Sequence, residues 1–233
     1  MGLPVMNGEY VMRPELSISS VVTASICPLL FYLDHKDEQM NSSRYEICKQ
    51  ISYHLGDRLD TAVIWEELKA VHPDMDDSNL PYLEQCLDMC RDYKGWRSII
   101  ETDLAVKSNK FGIYGVVDKV FEDSPRFSIV RSVRAPPAGI YVQDRLRVFG
   151  YILCLQEMTG EDIQGGAVEY IPSGISRPCI PQPIDKRRFL RALDQAREVS
   201  NGKIPKKPIS PPCDNCRVAG RCIPGGKRLS DLF

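Results

Sequence analysis

The middle of the chain limits most strongly how the protein can fold. Three short segments, 97–108, 111–123 and 126–135, are rich in β-branched and aromatic residues, with turn-forming sequences between them. They predict an antiparallel meander of three strands. The next segment, 142–160, has a strong helical pattern that ends at a glycine, which suits a helix C-terminus. Strands followed by a long helix indicate a mixed α/β fold.

The segments on either side of this region are predicted to be mostly helical. Pro28 either starts a new helix or kinks an existing one. After the long helix, one strand is predicted at 165–174 and one helix at 184–202. The predicted helices before the meander cover 17–33, 42–60, 61–71 and 78–93. The N-terminal third is therefore expected to form a helical lobe over the sheet.

Charge and composition exclude several classes of protein. The net charge of −1 creates no overall field toward nucleic acid or membrane, so any basic surface must be local. The sequence has no run of 18 apolar residues, so no membrane-spanning helix is predicted. The first residues also lack the apolar core of a signal peptide. We therefore expect a cytoplasmic protein whose thiols stay reduced. Its 9 cysteines are an odd number, which favours a metal or cluster site over a complete disulfide framework.

Three of these cysteines lie close together near the C-terminus. Cys213, Cys216 and Cys222 have the spacing C-x2-C-x5-C. A turn that carries C-x2-C lets two thiolates converge on one ion or cluster iron, and the third thiolate follows in the same segment. A complete site needs a fourth ligand. Four thiolates fit a [4Fe–4S] cluster and a zinc ion equally well, and spacing does not separate the two.

The fourth ligand is expected among the other six cysteines, Cys27, Cys48, Cys86, Cys90, Cys154 and Cys179. Cys48, Cys86 and Cys154 lie on the apolar faces of predicted helices, which is typical of buried core thiols. Cys27 differs because it precedes Pro28 at a predicted helix break. We take Cys27 as the fourth ligand.

A carboxylate at the end of a predicted strand is the second feature that suggests chemistry. Asp118 ends the apolar sequence GVVD, where a metal ligand can project, although a lone aspartate there is more often a turn residue. The order of the surrounding motifs gives it more weight. Cys-Pro, a helix with a late histidine and a G-x-x-D strand come first. A second strand, a D-x-L-x-h-x-x-Y helix (h apolar) and C-x2-C-x5-C follow.

This order resembles the CRISPR-associated RecB-like exonucleases, which have a four-cysteine iron–sulfur cluster and act in spacer acquisition. The resemblance covers about residues 17–225. It implies a restriction-endonuclease-like core of the PD-(D/E)-x-K type with a mixed sheet. One integrated domain is then expected to comprise an N-terminal arm and helical lobe (1–96), the nuclease core (97–203) and a C-terminal cysteine segment (204–233).

The resemblance also implies roles for particular residues. His54 and Asp118 match the family's metal-binding histidine and aspartate, so they would hold Mg2+ or Mn2+ if the nuclease site is functional. Tyr151 matches the tyrosine of the supporting helix, whose glutamine is here Arg147. The cluster ligands are Cys27, Cys213, Cys216 and Cys222.

The sequence departs from the family at the E-x-K strand. This strand is expected at 128–137, a segment without glutamate, aspartate or lysine. One alignment puts Ser132 at the glutamate and Arg134 at the lysine. The other puts Arg131 and Val133 there. Both remove the second carboxylate, and arginines in the same pocket repel a divalent ion.

We therefore expect weak or absent hydrolysis with phosphate binding retained. Arg134 can contact a phosphate, but it cannot act as a base because it stays protonated. The implied partners are single-stranded or frayed DNA ends and the CRISPR spacer integrase complex. One alternative is an active exonuclease whose second carboxylate is Glu101 or Glu169. The other is an iron–sulfur interaction module without a DNA role.

Overall fold

The computed structural model describes residues 14–34, 42–206, 208, 213, 214, 216–219 and 222. Within these ranges the chain has the expected α/β fold with a mixed sheet. The strands are β1 (Leu16–Ser17), β2 (Glu101–Ser108), β3 (Ile113–Val120), β4 (Phe127–Arg131), β5 (Gly166–Tyr170) and β6 (Ile175–Cys179). The helices are α1 (Ile18–Ile26), α2 (Pro28–Asp34), α3 (Ser43–Tyr53), α4 (Thr61–Val71), α5 (Leu80–Arg91), α6 (Val142–Thr159) and α7 (Pro183–Ser200). None of these helices is long and apolar enough to cross a membrane.

The sheet has an open gap beside β3. Strands β2, β3 and β4 form the predicted antiparallel meander, β5 runs parallel to β4, and β6 runs antiparallel to β5. Because β2 pairs along one whole edge of β3, β1 and β4 must share the other edge. β1 pairs with Ile113 and Tyr114, whereas β4 pairs with Lys119 and Val120 at the far end. The gap between them lies next to Asp118.

Two hydrophobic cores cover the sheet. Helices α1, α6 and α7 build the larger core, in which the rings of Phe149 and Phe189 pack edge to face at 5.5 Å. Helices α3, α4 and α5 build the smaller core, together with Val130 and Ile171 from the sheet region. The helical lobe therefore consists of α3 to α5, while α1 packs with α6 and α7.

The ends of several helices follow from the residues that the sequence places there. Ser17 begins α1 by accepting a hydrogen bond from the backbone N–H of Ser20, and Cys27 ends it. Pro28 starts α2, so the Cys-Pro step separates two helices. Helix α4 has the predicted bounds, and α6 ends at Gly160, whose φ of 72° suits glycine.

Other boundaries differ from the prediction. The helix expected at 42–60 ends at Tyr53, because Gly56 has a φ of 104°, which does not continue a helix. Leu55 nevertheless packs in the smaller core, which is why the apolar spacing continued beyond the end of the helix. The strand expected at 165–174 ends at Tyr170, and β6 follows as an unpredicted strand. The sequence of β6, ISRPC, lacks alternation and contains a proline, which suits its position at the edge of the sheet.

Candidate functional site

Asp118 lies buried where β3 and β4 separate. The backbone N–H of Val130 donates a 2.7 Å hydrogen bond to Oδ2, and the hydroxyl of Tyr45 on α3 donates a 3.0 Å hydrogen bond to Oδ1. Burial raises the pKa of Asp118, while the Val130 amide and the Lys49 ammonium act in the opposite direction. Both carboxylate oxygens therefore already have protein partners.

A second carboxylate lies beside Asp118, on the neighbouring strand β2. Asp103 has a φ of 56°, in the left-handed region that residues other than glycine rarely adopt. The strand pairs on either side of it, Thr102 with Lys119 and Leu104 with Val117, are intact. A strained backbone of this kind is frequent at functional sites, because the surrounding structure must hold it in place.

Helix α3 supplies a row of side chains to both carboxylates. Tyr45, Lys49 and Tyr53 follow one another at intervals of one helical turn, so they share one face of the helix. The Nζ atom of Lys49 lies 2.6 Å from Oδ1 of Asp103 and 3.9 Å from Oδ1 of Asp118. The Tyr53 hydroxyl donates a 2.7 Å hydrogen bond to Oδ2 of Asp103. An ammonium group thus occupies the space between the carboxylates that a cation bound to both would need.

A third carboxylate, Asp144 in the first turn of α6, binds two arginines. Its Oδ1 lies 2.7 Å from Nε of Arg131 and 3.4 Å from Nη1 of Arg147. Its Oδ2 accepts a 2.9 Å hydrogen bond from the Tyr170 hydroxyl. Because Asp144 is buried, it fixes both guanidinium groups at the end of β4.

Tyr151 and Arg147 connect the two parts of the site. They lie four residues apart on one face of α6. Burial raises the pKa of Tyr151, and the nearby Asp118 raises it further. Burial and the neighbouring Arg131 lower the pKa of Arg147 to about 10. Gly115 makes room for this arrangement, because a Cβ at that position would lie 2.9 Å from Cε1 of Tyr151.

Among the residues predicted at the E-x-K positions, Arg131 lies on β4 and pairs with Asp144, whereas Val133 is exposed beyond the end of the strand. Strand β4 ends at Arg131, so neither Ser132 nor Arg134 belongs to it. The backbone carbonyl of Ser132 accepts a hydrogen bond from Tyr82, and Arg134 is exposed. The residue pairs between β3 and β4 stop at Lys119 and Ser128, so Asp118 has no paired residue on β4.

Two of the other predicted ligands, His54 and Glu169, have partners of their own. His54 ends α3, and its Nε2 lies 2.6 Å from Oε2 of Glu67 on α4. Glu169 is buried on β5, with Oε2 at 2.6 Å from Nζ of Lys119. Glu101 is exposed at the start of β2. In the part of the chain that the structure describes, none of these three makes a hydrogen bond or ion pair with Asp118.

The four candidate cluster cysteines have the chemistry of a thiolate site. Cys27 is buried at the end of α1, Cys213 is exposed, and Cys216 and Cys222 are half-buried. A turn closed by a 3.1 Å hydrogen bond from Cys216 N–H to the Cys213 carbonyl suits a C-x2-C pair. Across the described ranges, however, no group of three or more His, Cys, Asp or Glu side chains has the geometry to hold a metal ion.

The side chains around Asp118 were only partly predictable from the sequence. Asp118, Tyr151 and Arg147 were expected near the site, whereas Asp103, Lys49 and Tyr45 were not. The spacing of Tyr45, Lys49 and Tyr53 on a predicted helix was the signal that could have indicated a polar face. No family model matches this chain, and no curated protein is significantly similar to it.

Proposed function

We propose that this chain is a RecB-like protein of CRISPR spacer acquisition that binds single-stranded or frayed DNA ends, with weak or lost nuclease activity. In this proposal it acts as a partner of the spacer integrase complex. The order of motifs and the mixed sheet, with its meander followed by α6 and β5, are consistent with a restriction-endonuclease-like core. The finer assignment rests on the sequence resemblance.

The position of Lys49 is the observation that supports loss of cleavage most directly. Its ammonium group lies between the carboxylates of Asp103 and Asp118. A divalent ion at the same place would have to displace that ammonium and overcome the repulsion of two nearby arginines. The site therefore has its own cation and does not need a metal to balance the two carboxylates.

The exposure of the cations in the site supports phosphate binding. The side chains of Asp118 and Asp144 are buried, at 8 % and 1 % exposure. The cations that pair with them are about one-fifth exposed, with 20 % for Lys49, 23 % for Arg131 and 19 % for Arg147. At Asp144, an approaching DNA backbone therefore meets guanidinium groups before it meets the buried carboxylate, whereas beside Lys49 the carboxylate of Asp103 is 43 % exposed.

Two exposed arginines extend this cationic surface. Arg44, at the start of α3, has its guanidinium 5.1 Å from the ring centre of Tyr82. Arg134 follows two residues after Ser132, whose carbonyl accepts a hydrogen bond from the same Tyr82. Neither arginine forms an ion pair with a described carboxylate. Both are therefore available to bind the phosphates of a DNA strand.

We expect Arg134→Ala and Arg44→Ala to weaken binding of single-stranded DNA. Each substitution removes one phosphate contact, so each should lower the slope of log affinity against log salt by about 0.7. Fluorescence anisotropy of a labelled oligonucleotide, measured over a range of salt concentrations, gives both quantities. Lys203→Ala is a matched control, because Lys203 is exposed but already paired with Glu198 at 2.7 Å. Equal slopes for the arginine variants and the control would argue against the proposed DNA surface.

An active exonuclease is the second candidate, and Asp103 is the observation that favours it. Asp103 and Asp118 together supply two carboxylates, which is sufficient for Mg2+ or Mn2+ when water and phosphate complete the shell. This candidate requires bound DNA to draw Lys49 away from its position. Asp103 then takes the place that the sequence suggested for Glu101 or Glu169.

The same resemblance supports the proposal that Cys27, Cys213, Cys216 and Cys222 bind a [4Fe–4S] cluster, with zinc as the alternative. We expect anaerobically purified protein to contain iron and sulfide, and Cys27→Ala to remove both. Cys179→Ala is the matched control, since this buried thiol is not among the proposed ligands. Zinc without iron would contradict the cluster, and unchanged iron in Cys27→Ala would contradict the fourth ligand.

A further inference from the structure

Two adjoining cavities lie at the C-terminal end of α3, and Tyr53 lines one of them. Their volumes are about 410 and 450 Å³, within the range of small-molecule sites. Gly56, Asp57 and Trp96 line both cavities, so the two adjoin along these residues. The pair of cavities, called the Trp96 groove below, lies between the loop after α3 and the segment after α5.

The indole of Trp96 is held in a fixed orientation along this groove. Its Nε1–H donates a 3.1 Å hydrogen bond to the Cys90 carbonyl. The ring of Tyr93 packs edge to face against it, with 4.6 Å between ring centres. The buried Lys119 ammonium lies over the indole at 6.0 Å from its centre. A half-buried aromatic surface that is already immobilised loses little entropy when a flat ligand stacks on it.

The charges of the groove favour an anion. Arg58 and Lys94 line it and are exposed, and neither makes a hydrogen bond or ion pair with any described residue. Arg91 also lines the groove but is paired with Asp88. Asp57 contributes the one carboxylate of the described lining. Two unpaired cations therefore face a single carboxylate beside an aromatic wall.

We propose that the Trp96 groove binds a nucleoside phosphate. The base stacks on Trp96 beside Tyr93, and Arg58 and Lys94 bind the phosphate group. A free nucleotide and the terminal nucleotide of a nucleic acid both carry this base and phosphate group. None of these four side chains contacts Asp118, Asp103 or Asp144, but Tyr53, which also lines the groove, donates a hydrogen bond to Asp103. A nucleic acid end bound here would be the DNA end of the proposed function, whereas a free nucleotide would be a separate ligand.

Tryptophan fluorescence tests this site directly. The chain has 2 tryptophans, so Trp65→Phe leaves Trp96 as the sole reporter. Adenosine 5′-monophosphate is expected to change this fluorescence saturably and to bind at least about tenfold more tightly than adenosine or inorganic phosphate. Replacing both Arg58 and Lys94 with alanine should weaken its binding by at least about tenfold. Arg187→Ala, an exposed cation on α7, is the control that should leave the affinity unchanged.

The probes also separate the two sources of the ligand. A 5′-phosphorylated oligonucleotide that binds more tightly than the mononucleotide, and loses this advantage without its phosphate, identifies a nucleic acid end. Equal or tighter binding of the mononucleotide identifies a free nucleotide. Titration calorimetry of the unsubstituted chain replaces fluorescence if Trp65→Phe does not fold.

Three results would overturn the site: no saturable binding of either probe, equal affinity for adenosine and its monophosphate, or equal affinity of the double variant and the Arg187→Ala control. Because Arg134 is not part of the groove, its effect on DNA affinity remains a separate test of the proposed function.

Discussion

Replacing Lys119 with methionine is expected to lower the free energy of unfolding by about 3–5 kcal/mol, because it leaves a buried carboxylate without its charge partner. Lys119 and Glu169 are almost wholly buried, with Nζ at 2.6 Å from Oε2. Lys119 also donates a 3.1 Å hydrogen bond to the Ser52 carbonyl, and Ser128 donates one of 3.0 Å to Glu169. Urea unfolding monitored by circular dichroism measures the loss.

The control for Lys119→Met is the same substitution at Lys203. Lys203 and Glu198 lie 2.7 Å apart but are exposed, so Lys203→Met should cost only about 0–1 kcal/mol. Combining Lys119→Met with Glu169→Leu should cost less than the sum of the two single substitutions, because no charge is left unpaired. A fully additive double variant would contradict a coupled buried pair.

The deficit of Lys119→Met should also depend on pH. Burial already raises the pKa of Glu169 above its ordinary value, and Lys119 opposes that rise. Without Lys119 the folded state keeps a proton that the unfolded state releases, so stability falls as pH rises between the ordinary and the raised pKa. The deficit is therefore expected to be smaller at about pH 5 than at about pH 8.

Asp144→Ala is expected to have a similar effect, a loss of about 3–5 kcal/mol, because it removes the shared partner of two arginines. Arg131 and Arg147 lose an ion pair each, and the Tyr170 hydroxyl loses its acceptor. Asp144→Asn should cost less, since its amide oxygen can still accept from Tyr170. Chemical unfolding of both variants gives the two values.

Asp194→Ala provides the matched control for Asp144→Ala. Asp194 is also paired with an arginine one turn away, Arg197 at 3.5 Å, but its side chain is 75 % exposed. We expect a loss of only about 0–1 kcal/mol for this exposed pair. If Asp144→Ala were no more destabilising than Asp194→Ala, Asp144 would not be the anchor of the two arginines.

Much of the fold followed from the sequence because local patterns agreed with the final packing. The segment 61–71 became α4 with the same bounds, and Gly160 and the Asn201-Gly202 pair end α6 and α7 as expected. Local patterns failed where long-range pairing decides. The short strand β1 forms because Leu16 and Ser17 reach β3, a partner almost a hundred residues away. A two-residue segment contains no sequence pattern that predicts this pairing.

The candidate site was harder to predict for the same reason. Asp118 and Tyr151 could be identified because each belongs to a motif with a fixed spacing. Asp103 is one of two acidic residues in a predicted strand, and its left-handed backbone becomes evident only in the structure. Its importance depends on Lys49, which comes from a helix more than fifty residues earlier. Such a contact has no signature in a single sequence.

The most direct test of the proposed function is degradation of end-labelled single-stranded DNA in Mn2+, measured beside an Asp118→Ala variant. Binding of the same DNA is followed in parallel by fluorescence anisotropy. With Lys49 between Asp103 and Asp118, we expect DNA to be bound and to remain intact with both proteins. Degradation by the unsubstituted chain that Asp118→Ala abolishes would show an active metal-dependent nuclease and contradict a site kept for DNA binding.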